Sequence, residues 1–164
     1  MDIPAPFDAY RDVVREDWID HNRHMNMGYY LVVFDFATDA WMDFVGLDRA
    51  HRVARQITTF SLEAHVTYAR EVGAGDRLRF TTHLLDFDAK RLHYIHHMYH
   101  ADAGYLAASN ELMSLHVSQR TRRAAPMHEA VLARLEAILA AHARLPLPAE
   151  VGRVIGLDAR PTTR

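Results

Sequence analysis

Residues 27–45 are apolar at helical spacing on most sides. The charged side chains of this segment are Asp35, Asp39 and Asp43, which form one stripe at intervals of four residues. Because like charges on successive turns repel, we expect the stripe to face water or a ligand channel. The other faces should be enclosed by neighbouring elements, and Gly46 is expected to end the helix. The main apolar face carries Tyr30, Phe34, Ala37, Trp41 and Phe44.

After a linker predicted around residues 48–55, apolar side chains recur at every second residue, as in a β-strand. The segments DFDAK and ADAG are short enough to join later strands as antiparallel hairpins. The predicted strands cover residues 10–19, 57–68, 77–87, 91–101 and 105–118. In the second strand, the alternation typical of a half-buried strand involves Phe60, Leu62, Ala64, Val66 and Tyr68.

An amphipathic segment follows Pro126 and predicts a C-terminal helix. A proline-containing tail begins at Pro146, so we predict one domain over residues 1–145 and a tail over residues 146–164. A strand, a long apolar helix and four antiparallel strands in this order predict an α+β fold, with the sheet curled around the central helix. The apolar side of the C-terminal helix carries Val131, Leu135, Ile138 and Leu139.

Composition and charge limit the classes of function. The 164 residues suit one compact domain, and 49% hydrophobic with 24% charged residues is typical of a globular protein. A net charge of −2 gives no bulk attraction to nucleic acid or to an anionic membrane, so neither is an expected partner. The lack of cysteine excludes disulfides and thiolate nucleophiles. Without a secretory pattern or an apolar run of about 18 residues, we expect a cytoplasmic protein.

Residues 20–30, DHNRHMNMGYY, crowd a carboxylate, two histidines and two asparagines between the first strand and the long helix. Asp20 and its neighbours form either a reaction centre or a turn, since aspartate is common where a strand turns. Asn26 is expected to cap the helix. Together with His24, it is expected to support the site or the turn. The spacing alone leaves both interpretations open.

Four segments carry a resemblance to a known family. They are WIDHNRHMNMGYYLVVFDFATDAW, EAHVTYAREVGAGDRLRF, DFDAKRLHYIHHM and NELMSLHVSQRTRRAAP. They resemble the hotdog-fold acyl-CoA thioesterases of the 4-hydroxybenzoyl-CoA thioesterase type, over roughly residues 10–130. Within that group the chain resembles the thioesterases of carnitine breakdown that act on betainyl-CoA. The resemblance implies a hotdog fold and hydrolysis of a small acyl-CoA to the free acid and CoA, without a cofactor.

The resemblance also implies roles for the motif. Asp20 stands where the family has its catalytic carboxylate, and the amides of Met27 and Gly28 stand where the thioester carbonyl is polarised. Other members take the carboxylate from the central helix, so Asp35 or Asp39 is an alternative. A thiol with a pKa near about 8.5 leaves without a strong acid, so one carboxylate suffices. Asp20 is therefore predicted to act as base or nucleophile.

Coenzyme A carries phosphates, which need basic partners. Lys90 and Arg91 follow the DFDA turn, where the resemblance places a basic pair at the nucleotide, although a charged, solvated hairpin end is the plain alternative. Arg120, Arg122 and Arg123 form a second basic cluster at a predicted strand exit. We therefore predict that Lys90 and Arg91 bind CoA and treat the second cluster as an alternative.

Twelve histidines raise the question of a metal site. On a strand that rises about 3.3 Å per residue, His93 and His97 lie about 13 Å apart, and adjacent His96 and His97 face opposite ways. No local pair can chelate, and no metal is predicted. On the predicted strand of residues 57–68, Glu63 and His65 share one face and could pair across strands or flank the site.

Aromatic side chains near the motif could enclose a quaternary ammonium group such as that of betaine, or they could simply belong to the core. A lone curled sheet leaves an open edge, so we predict a homodimer or homotetramer with sites at the subunit boundary. A non-catalytic module that holds acyl-CoA is the alternative to hydrolysis. A hotdog dehydratase is disfavoured because its G-H-F-P loop is missing. The aromatic candidates are Trp18, Tyr29, Tyr30, Trp41 and Tyr68.

Overall fold

The structure is a computed structural model that describes residues 3–157. Its central helix, α1, covers Met27–Val45, as predicted. The helix begins after Asn26, whose side chain accepts a hydrogen bond from the Gly28 amide. It ends at Gly46, which has a left-handed φ of 91°. Local sequence therefore fixes both ends of the helix around which the core forms.

One antiparallel sheet packs against α1. Its strands are β1 (Arg11–Val13), β2 (Ile57–Tyr68), β3 (Arg77–Phe87), β4 (Arg91–His100), β5 (Leu106–Ser118) and β6 (Arg123–Ala124). The strand order is β1-β3-β4-β5-β2, and β6 pairs with the end of β5. Both predicted hairpins are confirmed. Among the described strands β2 pairs only with β5, so β2 forms an open edge of the predicted hotdog architecture.

The first predicted strand is wrong over most of its length. Only Arg11–Val13 pair with β3, and a 3-10 turn follows at Glu16–Trp18. Trp18 is buried in the core with Tyr29 packed against it. The apolar side chains of residues 10–19 therefore reach the core from a turn, which their spacing did not distinguish from a strand.

The linker predicted around residues 48–55 contains a short helix, α2 (Arg49–Arg55). The side chain of Asp48 caps it by accepting a hydrogen bond from the His51 amide at 2.8 Å. The helix buries no side chain, so it lacks the apolar periodicity by which helices are recognised.

A β-bulge interrupts the alternation predicted for β2. The register shifts between Ser61 and Glu63, which leaves one additional residue on β2. Consequently Phe60 shares a face with His65 and not with Tyr68. Phe60 and Leu62 are 60% and 48% exposed, so this part of β2 is not half-buried as predicted.

Helix α3 (Glu129–His142) covers one end of α1 and of β3. It buries Val131, Leu135 and Ile138, as predicted, whereas Leu139 is only partly buried. At its end, the His142 imidazole accepts a hydrogen bond from the Leu84 amide where the register of β3 shifts. Within residues 3–157, no helix is both long and apolar enough to cross a membrane.

The chain after α3 crosses the face of the sheet that is turned away from α1. Glu150 lies 3.3 Å from His97 of β4, and Glu111 of β5 accepts a hydrogen bond from the Gly152 amide at 2.7 Å. The tail predicted over residues 146–164 is described only to residue 157. The domain boundary at residue 145 stays a prediction.

His96 is a fully buried polar side chain between α1 and the sheet. Its Nδ1 accepts from the Thr82 hydroxyl at 2.8 Å, and its Nε2 donates to the Thr38 hydroxyl at 3.0 Å. We assign these roles because the Thr38 hydroxyl itself donates to the Phe34 carbonyl at 2.9 Å. Burial lowers the pKa of His96 to about 3, so the ring is neutral at physiological pH.

This burial predicts that acid destabilises the fold. The folded pKa of His96 is below its ordinary value of 6.5, so between these values the unfolded chain takes up a proton that the folded chain does not. The free energy of unfolding should fall by up to about 1.4 kcal/mol per pH unit from this residue as the pH drops below 6.5. Urea denaturation at pH 7, 6, 5 and 4 measures it. A His96→Gln variant should show a weaker pH dependence; equal slopes would contradict the assignment.

Candidate active site

The loop between the 3-10 turn and α1 holds Asp20 in a tight turn. The Asp20 amide donates to the His24 carbonyl at 3.2 Å, and the Arg23 amide donates to the Asp20 carbonyl at 3.0 Å. Its carboxylate accepts from the Asn22 amide at 2.8 Å and from the Asn26 side chain at 3.2 Å. A turn and a reaction centre are therefore not exclusive alternatives for Asp20. The hydrogen bonds that form the turn also orient its carboxylate.

Asp20 is held as a carboxylate. The hydrogen bond from the Asn22 amide lowers its pKa most, and the Asn26 side chain and the nearby rings of His21 and His24 lower it further. The side chain is only partly buried, so water reaches it. An ionised, oriented and hydrated carboxylate is suited to act as a base or as a nucleophile.

Asn26 connects the carboxylate to the start of α1. Its Nδ2 donates to Asp20, while its Oδ1 accepts from the Gly28 amide at 2.9 Å. The Gly28 amide is thus already engaged. The Met27 amide finds no acceptor within residues 3–157, and it stands at the positive end of the helix dipole. Of the two amides predicted to polarise a carbonyl, Met27 has the free donor.

A cleft of about 250 Å³ opens beside this helix start. Tyr68 closes one side, and its hydroxyl donates to the Met27 carbonyl at 3.1 Å. The ring of Tyr30 meets the ring of Tyr68 edge to face, with centroids 5.1 Å apart. Neither Asp20 nor Asn26 lines the cleft; Asn26 links Asp20 to the helix start beside it. The cleft is lined by His24, Met25, Met27, Tyr30, Tyr68, Ala69, Arg70 and Glu71.

The structure divides the five aromatic candidates. Tyr30 and Tyr68 line the cleft, and Trp18 stacks on Tyr29 behind it with centroids 5.7 Å apart. Trp41 packs in a different part of the core, against Phe7, Phe44 and Tyr94. Trp41 is a core residue, the second of the two alternatives, because it lies eleven residues, or about three turns of α1, from Tyr30.

The helical carboxylates do not line the cleft. Asp35 is on the exposed side of α1, and partial burial together with the charge of Asp39 raises its pKa. Asp39 lies 3.7 Å from Arg52 of α2. The acidic stripe faces outward, as its like charges predict, and either residue stays an alternative to Asp20.

Lys90 and Arg91 lie far from Asp20 of the same chain. Arg91 pairs with Leu115 of β5 and Tyr68 pairs with Ala108, seven residues away, or about 23 Å along the strand. Arg91 also donates two hydrogen bonds to Asp88, at 2.8 and 2.6 Å, which lowers the pKa of Asp88 to about 2. Arg120, Arg122 and Arg123 are exposed at the same end of the sheet.

Glu63 and His65 lie on the outer face of β2, opposite to Tyr68. They line a separate cavity of about 520 Å³ with Glu111 and His93, whose side chains are 2.7 Å apart. They therefore do not flank the cleft. Within the described residues, no three His, Asp or Glu side chains lie close enough to hold a metal ion.

Sequence reasoning missed two side chains near the cleft. Glu71 lines it, with its carboxylate 3.8 Å from the His24 ring. It lies in the EVGAGDR turn. Turns have no apolar periodicity, so the sequence did not indicate which way this side chain points. Asn110 of β5 is 1% exposed beneath α1, and neither polar atom of its side chain has a partner among the described residues. It pairs with Val66 of β2, which lies two residues before Tyr68 on the same face of the strand.

Residues 14–135 match the profile of a family described as the Thioesterase-like superfamily. The betainyl-CoA thioesterase of Pseudomonas aeruginosa is 45% identical over 149 residues, which cover 91% of this chain and 94% of that protein. The L-carnitine dehydrogenase/betainyl-CoA thioesterase of Rhizobium meliloti is 31% identical over 156 residues, covering 95% of this chain. The match spans only 31% of that longer protein.

Solved structures are similar over nearly the whole chain. The protein SAV2348 of Staphylococcus aureus, in complex with CoA, has a TM-score of 0.88 and 28% identity, covering 96% of this chain and 99% of that one. A putative thioesterase of Pseudomonas putida KT2440 has a TM-score of 0.81 and 35% identity, covering 96% of this chain and 100% of that one.

Proposed function

Because this chain belongs to the thioesterase-like superfamily and is an acyl-CoA thioesterase, we propose that it hydrolyses betainyl-CoA to betaine and CoA, with Asp20 as the base or nucleophile. One observation carries the role of Asp20: its ionised carboxylate is tied through Asn26 to a helix start where the Met27 amide is free. We also propose a role in carnitine breakdown, since fused relatives carry L-carnitine dehydrogenase on the same chain.

The proposed chemistry needs no group beyond this chain and water. With Asp20 as base, the carboxylate removes a proton from water while the water oxygen bonds to the carbonyl carbon. The Met27 amide donates to the developing oxyanion, and losing such a donor costs about 3 kcal/mol of barrier. The C–S bond then breaks, and the CoA thiolate recovers the proton from Asp20. With Asp20 as nucleophile, its oxygen attacks the carbonyl carbon and expels the CoA thiolate, which leaves a mixed anhydride. Water then hydrolyses the anhydride to the free acid and the Asp20 carboxylate, and a proton of that water goes to the thiolate.

We propose that two copies pair along β2. The exposed apolar side chains of Phe60 and Leu62 stand on this open edge, which a second strand would cover. Antiparallel pairing about the strand centre would bring Tyr68 of one copy beside the partner's Ile57. Lys90 lies at that end of the sheet, where the His116 amide donates to its carbonyl at 2.7 Å. The predicted CoA-binding pair, Lys90 and Arg91, would thus serve the partner's cleft; a tetramer and a cytoplasmic location stay predictions.

The cleft suits a quaternary ammonium group. Tyr30 and Tyr68 offer aromatic rings, and Glu71 adds a carboxylate. Cations are attracted to aromatic faces by roughly 0.5–2 kcal/mol, most strongly where water is excluded. Tyr30 is 4% exposed, so its ring is shielded from water on most sides.

Replacing Tyr68 by Leu should therefore lower kcat/KM for betainyl-CoA by about 3–30-fold. The neutral isostere 3,3-dimethylbutyryl-CoA has the same shape without the charge, so it should lose less than about 3-fold. Release of free thiol from both thioesters measures the difference. Tyr68→Phe, which keeps the ring, is the matched control and should retain the preference. An equal loss of kcat/KM on both substrates would contradict the proposed cation site. Tyr68 would then have only a structural role.

A further inference from the structure

The chain after α3 is fixed to the outer face of the sheet by a turn and then continues as an exposed apolar segment. We name residues 150–157 the C-terminal strap. In its turn, Val151 is buried, and the Gly152 amide donates to Glu111 of β5 at 2.7 Å. The exposed apolar side chains that follow the turn are Val154, Ile155 and Leu157. A group of exposed apolar side chains on a fixed segment indicates an interaction surface.

The C-terminal strap and β2 border the cavity of about 520 Å³ that Glu63 and His65 line. Arg153 and Ile155 line it from the strap, and we name it the strap cavity. It lies on the outer face of the sheet, because Glu111, which binds the strap, is the β5 residue that pairs with His65. Among the described strands β2 is an open edge, so the strap cavity lies where a second copy would pair.

The bulge in β2 determines which side chains of two paired copies meet. Phe60 precedes the bulge and pairs with Leu115, whereas His65 follows it and pairs with Glu111. Both side chains therefore point to the outer face, although without a bulge two residues five positions apart would point to opposite faces. In the proposed antiparallel pairing about the strand centre, Phe60 of the partner subunit lies directly opposite His65. Directly opposite residues share a face, so this phenylalanine comes beside the strap cavity.

We propose that the strap cavity receives Phe60 of the partner subunit, an inference that rests on the β2 pairing of the proposed function. Phe60 is 60% exposed in the single chain. In the pair its ring would lie between His65 and the apolar side chain of Ile155. The His65 ring and the Arg153 guanidinium are neighbours that an aromatic ring favours. By the two-fold symmetry of the pair, each copy contributes one phenylalanine and one cavity.

The polar groups of the strap cavity suit an apolar occupant. Both oxygens of Glu111 are engaged, one with the His93 ring at 2.7 Å and the other with the Gly152 amide at 2.7 Å. Glu63 and Arg153 are exposed, so they can stay hydrated at the rim. An aromatic ring can therefore enter without breaking a hydrogen bond of these residues, and breaking one would oppose its binding.

Engineered cysteines test the register, because the chain has none of its own. A disulfide needs Cα atoms within about 7 Å. Within one copy, Phe60 and His65 pair with residues four positions apart on β5, or about 13 Å. A Phe60→Cys/His65→Cys variant can therefore link only between copies, and oxidation should convert it to a covalent dimer. The single variants Phe60→Cys and His65→Cys are the controls and should stay unlinked.

The affinity of the dimer tests the occupant of the strap cavity. Ile155→Ser should raise the Kd of the dimer by about 10-fold or more, because each dimer loses the apolar contact twice. Val154→Ser is the matched control, since Val154 is 81% exposed on the strap and does not line the cavity. Phe60→Ser should also raise the Kd. The double variant Phe60→Ser/Ile155→Ser should raise it by less than the product of the two single effects, because both remove one contact. Sedimentation velocity over a dilution series measures each Kd.

Other results overturn the inference in distinct ways. A wild-type monomer overturns the β2 pairing of the proposed function and the inference with it. A wild-type dimer in which Phe60→Cys/His65→Cys does not link overturns the register alone. A dimer that links, but whose Kd is the same for Ile155→Ser as for Val154→Ser, keeps the pairing and overturns the strap cavity as the site of the partner's Phe60. Single effects that multiply fully in the double variant overturn the direct contact.

Discussion

Asp20→Asn should lower kcat for thioester hydrolysis by about two to four orders of magnitude. The asparagine oxygen can still accept from the Asn22 amide, which holds the turn at 2.8 Å, so the loop should keep its shape. What the variant loses is the negative charge and the ability to take a proton or form an acyl bond. Thiol release measures the rate, and thermal unfolding checks that the fold is retained.

Asp43→Asn is the matched control, because Asp43 is an exposed carboxylate of α1 that does not line the cleft. It should behave as wild type. If Asp20→Asn retained full turnover, the carboxylate would have to come from α1, and Asp35→Asn and Asp39→Asn would identify it. Loss of activity together with loss of folding would instead show that Asp20 acts mainly as a turn residue.

A charged β2 edge should abolish activity by separating the subunits. In a Phe60→Lys/Leu62→Lys variant, two lysines replace side chains that are 60% and 48% exposed in the single chain. The monomer should still fold, because neither side chain belongs to the buried core. Like charges facing each other across a strand pair oppose association. We expect a monomer with less than about a tenth of the wild-type kcat/KM. The reason is that a monomer has no partner whose basic residues can bind the CoA phosphates at the cleft.

Sedimentation velocity and thiol release on the same samples measure both effects. Leu147→Lys is the control, because Leu147 is 59% exposed on the chain that follows α3. It should leave the mass and the activity unchanged. A wild-type monomer with full activity, or a variant that stays dimeric and active, would contradict the shared site.

Much of the candidate site could be predicted because its central part is contiguous. The bonds from Asn22 and Asn26 to Asp20, and from Gly28 to Asn26, all join residues within six positions of one another. Such short-range bonds depend on side-chain type and spacing, which the sequence displays. The occupied Gly28 amide was not foreseen, since the same asparagine can cap a helix through either of two amides.

The rest of the site depends on long-range packing. Tyr68 reaches the Met27 carbonyl from 41 positions away, and the β2 bulge decides which side chains share its face. The separation of Lys90 and Arg91 from Asp20 follows from the length of β5, although all three were assigned to one ligand. Residue spacing does not show which ends of the sheet meet. In the dimer proposed above, Lys90 and Arg91 of one copy would serve the cleft of the other.

The sequence by itself determined the central helix and its caps, the two hairpins and the identity of the Asp20 motif, because periodicity and short-range hydrogen bonds are local properties. Only the tertiary structure decided the short helix α2, the bulge in β2 and the place of Trp41 outside the cleft. It also brought His65 and Ile155, 90 positions apart, to one cavity. These features arise from pairing and burial between distant segments, where the energy depends on contacts that no single stretch of sequence contains.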